Sequence, residues 1–332
     1  MKIAFFDSKP YIKKVFENLN QEKHCIRFFE LKLNHETIEF AKGFECVCVF
    51  VNDCLDDAII HSLKEIGVSL IALRCKGSDN LDIQACRKHG IEVVRVPHYS
   101  PYSVAEHAVA LILALNRHIH KAYNRIRDGN FSLDGLQGFD LHGKRVGVIG
   151  AGEIGKAFIK IMMGFGCKVI VYDVLGKNTI EDFPNEQVTF AELSDLYEKS
   201  DIISLHVPLT IANRHMISGN AVKKMKPGVM LINTSRGGLI DTEALIEGIK
   251  SKKIGYVGLD VYENETGYFF EDLSDSVIID DALARLMTFP NVIVTGHQAF
   301  LTQEALIDIA ETTLQSVTEF EQGKRLSCRL IS

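Results

Sequence analysis

Arg145-Val146-Gly147-Val148-Ile149-Gly150-Ala151-Gly152-Glu153-Ile154-Gly155-Lys156 is the stretch on which the fold reading turns. Its first five residues form a short apolar run of strand type, and residues 156–163 carry a helical pattern. Gly-x-Gly-x-x-Gly alone is a weak signal, because a chain with 25 glycines produces it by chance. Here the motif follows a strand, opens a helix, and is followed by a second strand, 168–172, that Asp173 closes at the expected distance. Gly150 permits the tight turn, Gly152 lets backbone approach a pyrophosphate, and Gly155 lets the helix pack close to the strand. With Glu153 and Ile154 at the helix start, the first amides face the phosphates. Asp173 would accept hydrogen bonds from the adenosine ribose and repel a 2′-phosphate, so the expected cofactor is NAD and not NADP.

On both sides of this stretch, strands alternate with amphipathic segments. Before it, 3–6, 46–51, 70–73 and 92–96 read as buried strands, with helices over 10–19, 56–66 and 82–89. After it come strands at 202–205, 229–232, 256–259 and 292–294. The class is α/β, with parallel sheets covered on both faces. Residues 103–127 hold one long helical pattern without Gly or Pro, after Pro97 and Pro101 and before Asp128-Gly129-Asn130. A helix of that length is expected to cross between two domains. Residues 304–322 form a last helix, most economically returned onto the first domain. The domains are therefore set at 1–100 with 299–332, and at 101–298.

The 332 residues, 46% hydrophobic and 24% charged, suffice for two such cores. A formal net charge of −6 gives no general attraction to nucleic acid or anionic lipid, and neither partner is expected. Apolar runs are too short to span a bilayer, and Asp7 interrupts the first one before a signal-peptide core could form. The eight cysteines show no Cys-x-x-Cys spacing. Cys46, Cys48 and Cys54 come nearest to a cluster but read as small buried residues, so no metal is expected. Free thiols suit a reducing, cytoplasmic compartment.

Three later segments place polar residues just beyond strand ends, where ligands bind in an open α/β sheet. They are Asn233-Thr234-Ser235-Arg236-Gly237-Gly238, Gly258-Leu259-Asp260-Val261-Tyr262-Glu263-Asn264-Glu265 and Gly296-His297-Gln298-Ala299-Phe300. Reduction of a 2-oxo acid needs a cation for the carboxylate, a proton donor for the carbonyl oxygen and a hydride source. Arg236 offers a planar fork for the carboxylate, and His297 can give the proton. A carboxylate beside the histidine would hold its tautomer. By residue type alone His142, His206 and His215 compete, and Arg74 rivals Arg236. The His206 segment reads as an adenine-side loop and that histidine as structural, and Arg74 reads as a helix-packing or ion-pair residue.

Together with the glycine motif these segments resemble the D-2-hydroxyacid dehydrogenases, and within them the bacterial fermentative D-lactate branch. The resemblance runs from Phe50-Val51-Asn52-Asp53 and Ile71-Ala72-Leu73-Arg74-Cys75 through Phe269-Phe270-Glu271-Asp272 to the C-terminus. It implies two Rossmann-like or flavodoxin-like doubly wound parallel-sheet domains with the active site in the cleft between them. It also implies a catalytic trio of Arg236, Glu265 and His297, with Glu265 paired to His297 and Asp260 near the nicotinamide. Tyr99 would line the substrate site, and Lys76 and Gly77 would belong to the loop that holds the carboxylate. Val207, Pro208, Thr234 and Ser235 would pack around the cofactor. The implied reaction is NADH-dependent reduction of pyruvate to D-lactate by a homodimer joined through the NAD domain, or by a tetramer built from it. Bulkier 2-oxo acids are the alternative substrates, and an NAD-sensing corepressor of the same fold is the alternative class. Formate and phosphoglycerate dehydrogenases fit less well. Lys76, Ser78 and Asp79 make the substrate loop more polar than is usual for the family.

Overall fold

The computed structural model describes residues 1–330; Ile331 and Ser332, the end of the first domain as read from sequence, lie outside the described residues. The chain divides into two units, Met1–Ser100 with the segment from Leu301 onward, and Pro101–Phe300. Each is built on one parallel sheet.

The first unit runs β1 (Lys2–Phe5), α1 (Pro10–Asn20), β2 (Cys25–Phe28), β3 (Cys46–Val49), α2 (Asp57–Glu65), β4 (Leu70–Leu73), α3 (Ile83–His89) and β5 (Glu92–Arg95). Its strand order, β2-β1-β3-β4-β5, reverses between β1 and β3, the doubly wound arrangement of flavodoxin type. β3 and β4 are buried at every residue, which is why they read as unbroken apolar runs. α2 and α3 begin where Asp56 and Asp82 accept hydrogen bonds from Ile59 N and Ala85 N. β3 is shorter than the run 46–51. The buried Asp53 carboxylate accepts Phe50 N at 2.5 Å and Leu33 N at 2.6 Å, turning the chain out of the ladder. The helix Gln303–Glu321 belongs to this unit, and Leu330 N then donates to Val93 O on the free edge of β5.

The second unit runs α4 (Pro101–Asn116), α5 (Ile119–Arg127), β6 (Arg145–Ile149), α6 (Glu153–Gly164), β7 (Lys168–Tyr172), β8 (Val188–Phe190), α7 (Leu193–Lys199), β9 (Ile202–Leu205), α8 (Gly219–Lys224), β10 (Val229–Asn233), α9 (Thr242–Lys250), β11 (Ile254–Leu259), α10 (Asp281–Thr288) and β12 (Val292–Val294). The order β12-β11-β10-β9-β6-β7-β8 is the Rossmann order with one strand added, and its direction reverses between β6 and β9. Successive residues of β9 serve different cores, Ile202 on one face and Ile203 and Leu205 on the other.

The single helix expected over 103–127 is two helices. The Asn116 side chain donates to Phe139 O at 2.7 Å and accepts from Phe139 N at 2.8 Å. A Cβ on Gly138 would lie 2.4 Å from Asn116 O, so the returning chain closes off the helix end. His118 then turns the chain in the left-handed region, with φ 51° and ψ 33°. Before the break α4 is apolar and buried; after it α5 buries no residue.

Candidate active site at the carboxyl edge of the seven-stranded sheet

At the β6–β9 reversal the backbones are in close contact. A Cβ on Gly155 would stand 2.0 Å from Gly150 O, so only glycine lets the start of α6 approach the turn this closely. Gly150 (φ 98°) is pressed against His206 O and the Val207 side chain of the β9 loop. A Cβ on Gly152 would meet nothing within 4 Å. That open side, at the N-terminus of α6 with Glu153 and Ile154 in its first turn, is the shape of a phosphate cradle. Asp173, just past β7, accepts Ala151 N and Leu175 N, each at 2.8 Å, which fixes the carboxylate beside the glycine turn. In the β9 loop Pro208 O accepts from the Asn213 side chain at 2.8 Å.

The loop after β10 is shaped by the buried Asn233, whose side chain donates to Arg236 O at 2.9 Å and accepts Ser235 N at 3.0 Å. Thr234 Oγ1 is buried and has no hydrogen-bond partner among the described residues, so it is free for a ligand. Arg236 donates from Nη1 to Ser235 O at 2.8 Å. Gly237 touches the next loop, where a Cβ would lie 2.0 Å from the Tyr262 carbonyl carbon.

In the β11 loop, Glu265 uses both oxygens: Oε2 accepts Tyr262 N at 3.0 Å, and Oε1 stands 2.9 Å from His297 Nδ1. Phe270 flanks the imidazole, with ring centroids 5.6 Å apart. With Nδ1 engaged, proton exchange with a substrate falls to Nε2. His297 has φ 54°, a conformation rare for a residue with a side chain. It is held by hydrogen bonds from its own N to Asp260 O at 2.8 Å, from Gln298 N to Asp260 Oδ1 at 2.9 Å and from Ala299 N to Asp260 Oδ2 at 2.8 Å. Thr295 Oγ1 donates to Asp260 Oδ1 at 2.6 Å, and His107 Nε2 stands 3.4 Å from the same oxygen. Burial would push the Asp260 carboxyl up, but the bonds from His107, Thr295 and Ala299 N outweigh it and hold the group below the usual carboxylate range. The sequence reading missed His107 and Thr295. His107 sits in an apolar helix with no motif around it.

The competing residues have other employment. Arg74 is buried, donates from Nη2 to Asp7 O at 2.8 Å, and lies over the rings of Phe5 and Phe50. Burial pushes the His206 imidazole down to about 3; its Nε2 bonds Ser204 Oγ and its ring packs on Phe158. His215 and Arg214 share Glu263 Oε1, and His142 packs on Gly166. Cys46 and Cys48 are buried in β3, apart from Cys54, whose thiol is 3.7 Å from Asp56 at the surface. In the first unit Lys76 O accepts from Arg95 Nη1, Gly77 O from the Cys75 thiol, and Tyr99 is half-buried.

Residues 109–299 match the D-isomer specific 2-hydroxyacid dehydrogenase family, NAD binding domain. The chain belongs to that family. It is 46% identical over 332 residues to D-lactate dehydrogenase of Escherichia coli K12, covering 100% of both. It is 48% identical over 325 residues to a 2-hydroxyacid dehydrogenase homolog of Haemophilus influenzae, covering 98% of this chain and 97% of that one. The apo-structure of D-lactate dehydrogenase from Escherichia coli superposes with a TM-score of 0.91 at 44% identity over 100% of both chains. The family's cofactor is NAD, and the open cradle at Gly152, the unpartnered Thr234 hydroxyl and the placed Asp173 carboxylate fit it. The protein is an NAD-dependent oxidoreductase of this family.

Proposed function

We propose that this protein is an NAD-dependent D-lactate dehydrogenase that reduces pyruvate to D-lactate. The observation that carries the reading is the Glu265–His297 pair, 2.9 Å apart, on the loops that follow β11 and β12, the two strands beyond β10 and its Arg236 loop. When bound, NADH supplies the hydride to the carbonyl carbon. His297 gives the proton from Nε2 to the carbonyl oxygen, while Glu265 fixes the tautomer by occupying Nδ1. Arg236 holds the substrate carboxylate through a two-pronged hydrogen bond. Gly150, Gly152, Glu153, Ile154, Gly155, Asp173, Val207, Pro208, Thr234, Ser235 and Asp260 form the cofactor side, and Lys76, Gly77 and Tyr99 are the further residues assigned to substrate binding. NADH oxidation is measured with pyruvate and with branched and phenyl 2-oxo acids, and NAD reduction with D- and L-lactate. Pyruvate and D-lactate are expected to be preferred. A preference for a bulky acid overturns the substrate, and turnover with none of them overturns the reading.

The same reading makes the protein a homodimer joined through the second unit, or a tetramer built from that dimer. Supporting it, α5 and the segment after it expose Ile119, Tyr123, Ile126, Phe131 and Leu133, an apolar stripe unusual for a solvated helix. Among the described residues no helix is long and apolar enough to cross a membrane. The free cysteines support a reducing, cytoplasmic setting for this fermentative role.

A further inference from the structure

We propose that His107 is a positioning residue for the reaction, acting on His297 through Thr295 and Asp260; the inference rests on the proton-donor role given to His297 above. Thr295 has one hydroxyl proton, and at 2.6 Å from Asp260 Oδ1 it is spent on that carboxylate. His107 Nε2, 3.0 Å from Thr295 Oγ1 and 3.4 Å from Asp260 Oδ1, therefore faces two acceptors and must carry the proton. The direction of the relay follows: His107 N–H donates to Thr295, Thr295 O–H donates to Asp260, and Asp260 accepts from the amides of Gln298 and Ala299.

What the relay secures is the backbone around His297. That residue sits at φ 54°, a conformation that persists only when its surroundings enforce it. The enforcement comes from Asp260, whose carbonyl and carboxylate take three successive amides, of residues 297, 298 and 299. A buried carboxylate keeps a fixed orientation only while its oxygens are saturated by donors. His107 supplies the donor that comes from outside the two loops. It stands on α4, whose neighbouring Ala105, Ala108 and Ile112 are fully buried, so the origin of the relay is rigid. Loss of the N–H leaves Thr295 free to turn to Leu259 O, 3.4 Å away, and the carboxylate free to rotate. His297 then shifts relative to Glu265 and the carbonyl it must protonate, and a misplacement of about 1 Å costs on the order of 100-fold in rate.

The test compares wild type with His107→Leu, His107→Gln and Thr295→Val in pyruvate reduction, with melting temperature and NADH dissociation constant measured alongside. His107→Gln keeps an N–H at the reach of Nε2. The expected result is a fall in kcat of about tenfold or more for His107→Leu and Thr295→Val. The solvent deuterium isotope effect on kcat should rise, and NADH binding should change less than about threefold. His107→Gln should recover most of the activity. Equal deficits in His107→Leu and His107→Gln, or a lowered melting temperature with unchanged kcat and isotope effect, overturn the positioning role. If His107→Leu does not fold, the comparison of His107→Gln with Thr295→Val decides by the same criteria. His297→Gln separates the two levels of the argument. Full turnover in that variant removes the proton-donor reading itself. An inactive His297→Gln beside an unimpaired His107→Leu removes only the present inference.

Discussion

Replacing Gly237 by alanine should cripple the enzyme without touching any side chain assigned to the chemistry. The added Cβ would lie 2.0 Å from the Tyr262 carbonyl carbon, 2.1 Å from its oxygen and 2.3 Å from Glu263 N. Ordinary contact begins at 3.4 Å, so the Arg236 loop and the Tyr262–Glu265 loop must part by about 1.4 Å. Both partners are backbone, so no flexible side chain can give way. Overpacking of this kind costs about 1–3 kcal/mol in stability. The larger effect is on geometry, because Arg236 adjoins Gly237 while Tyr262 N holds Glu265, which in turn holds His297. Reacting groups misplaced by about 1 Å lose on the order of 100-fold in rate. The assay is kcat and KM for pyruvate, with NADH affinity by fluorescence titration and melting temperature as controls. The expected pattern is kcat/KM down about 100-fold with NADH affinity lowered far less, since the glycine turn follows β6, two strands from β10, and only Thr234 and Ser235 of the cofactor side lie in the displaced loop. A folded Gly237→Ala enzyme with kcat/KM within about threefold of wild type would refute the idea that these loops work as one rigid piece.

Gly152→Ala should do the opposite, leaving the melting temperature of the cofactor-free protein unchanged while weakening NADH binding, because its Cβ meets only the open cradle. Stability lost in the absence of NADH would show that the cradle is filled by protein. If Asp173 selects against a 2′-phosphate as proposed, Asp173→Ala should narrow the preference for NADH over NADPH at least tenfold, measured as the ratio of kcat/KM values. An unchanged ratio removes Asp173 from that role. Glu265→Gln has one acceptor oxygen where the carboxylate has two, so it cannot serve both Tyr262 N and His297 Nδ1–H. Its kcat should fall about 10–100-fold with NADH affinity intact, and wild-type kcat would dissolve the pair. The Asp260 carboxyl is held below its ordinary value, so it stabilises the fold above the usual carboxylate range, and that contribution fades as pH falls through the folded-state value. Thermal melts from pH 7 to pH 3 should therefore drop less steeply for Asp260→Asn than for wild type, and parallel curves would contradict the assignment.

How much of this was legible in the sequence depended on burial. β3, β4 and β9 are covered on both faces and appear as apolar runs; the edge strands β2 and β8 are half-exposed, mix polar and apolar residues, and escaped notice. The break at His118 was invisible because its cause lies 20 residues on, where Gly138 and Phe139 return to Asn116. Arg236, Glu265 and His297 stood out because each follows a strand within its own motif. His107 did not, because a histidine in an apolar helix has no local signature, and its donor role depends on Thr295 and Asp260, some 150 residues away or more.

The register of the last three strands explains why residues so far apart in sequence act together. Asn233 pairs with Leu259, and Leu259 pairs with Val294, so β10, β11 and β12 end in line. The next residues continue the ladder, with Asp260 N donating to Asn233 O at 2.9 Å and Thr295 N to Leu259 O at 2.8 Å. Thr234, Asp260 and Thr295 thus begin their loops side by side, about one strand spacing of 4.8 Å apart. Apolar patterning alone does not set that register. A strand buried on both faces can slip by two residues and still present apolar side chains to both cores. What forbids the slip is the polar cargo at the strand ends. Moving β11 by two residues against β10 or β12 would withdraw the Asp260 carboxylate from the amides of Gln298 and Ala299, and would leave a buried charge unpaired. The same loss would follow for Asn233 if its turn were pulled into the sheet. The residues that hold the His297 loop therefore also fix the alignment of the strands that carry it, so selection for turnover and selection for a single native register act on the same side chains.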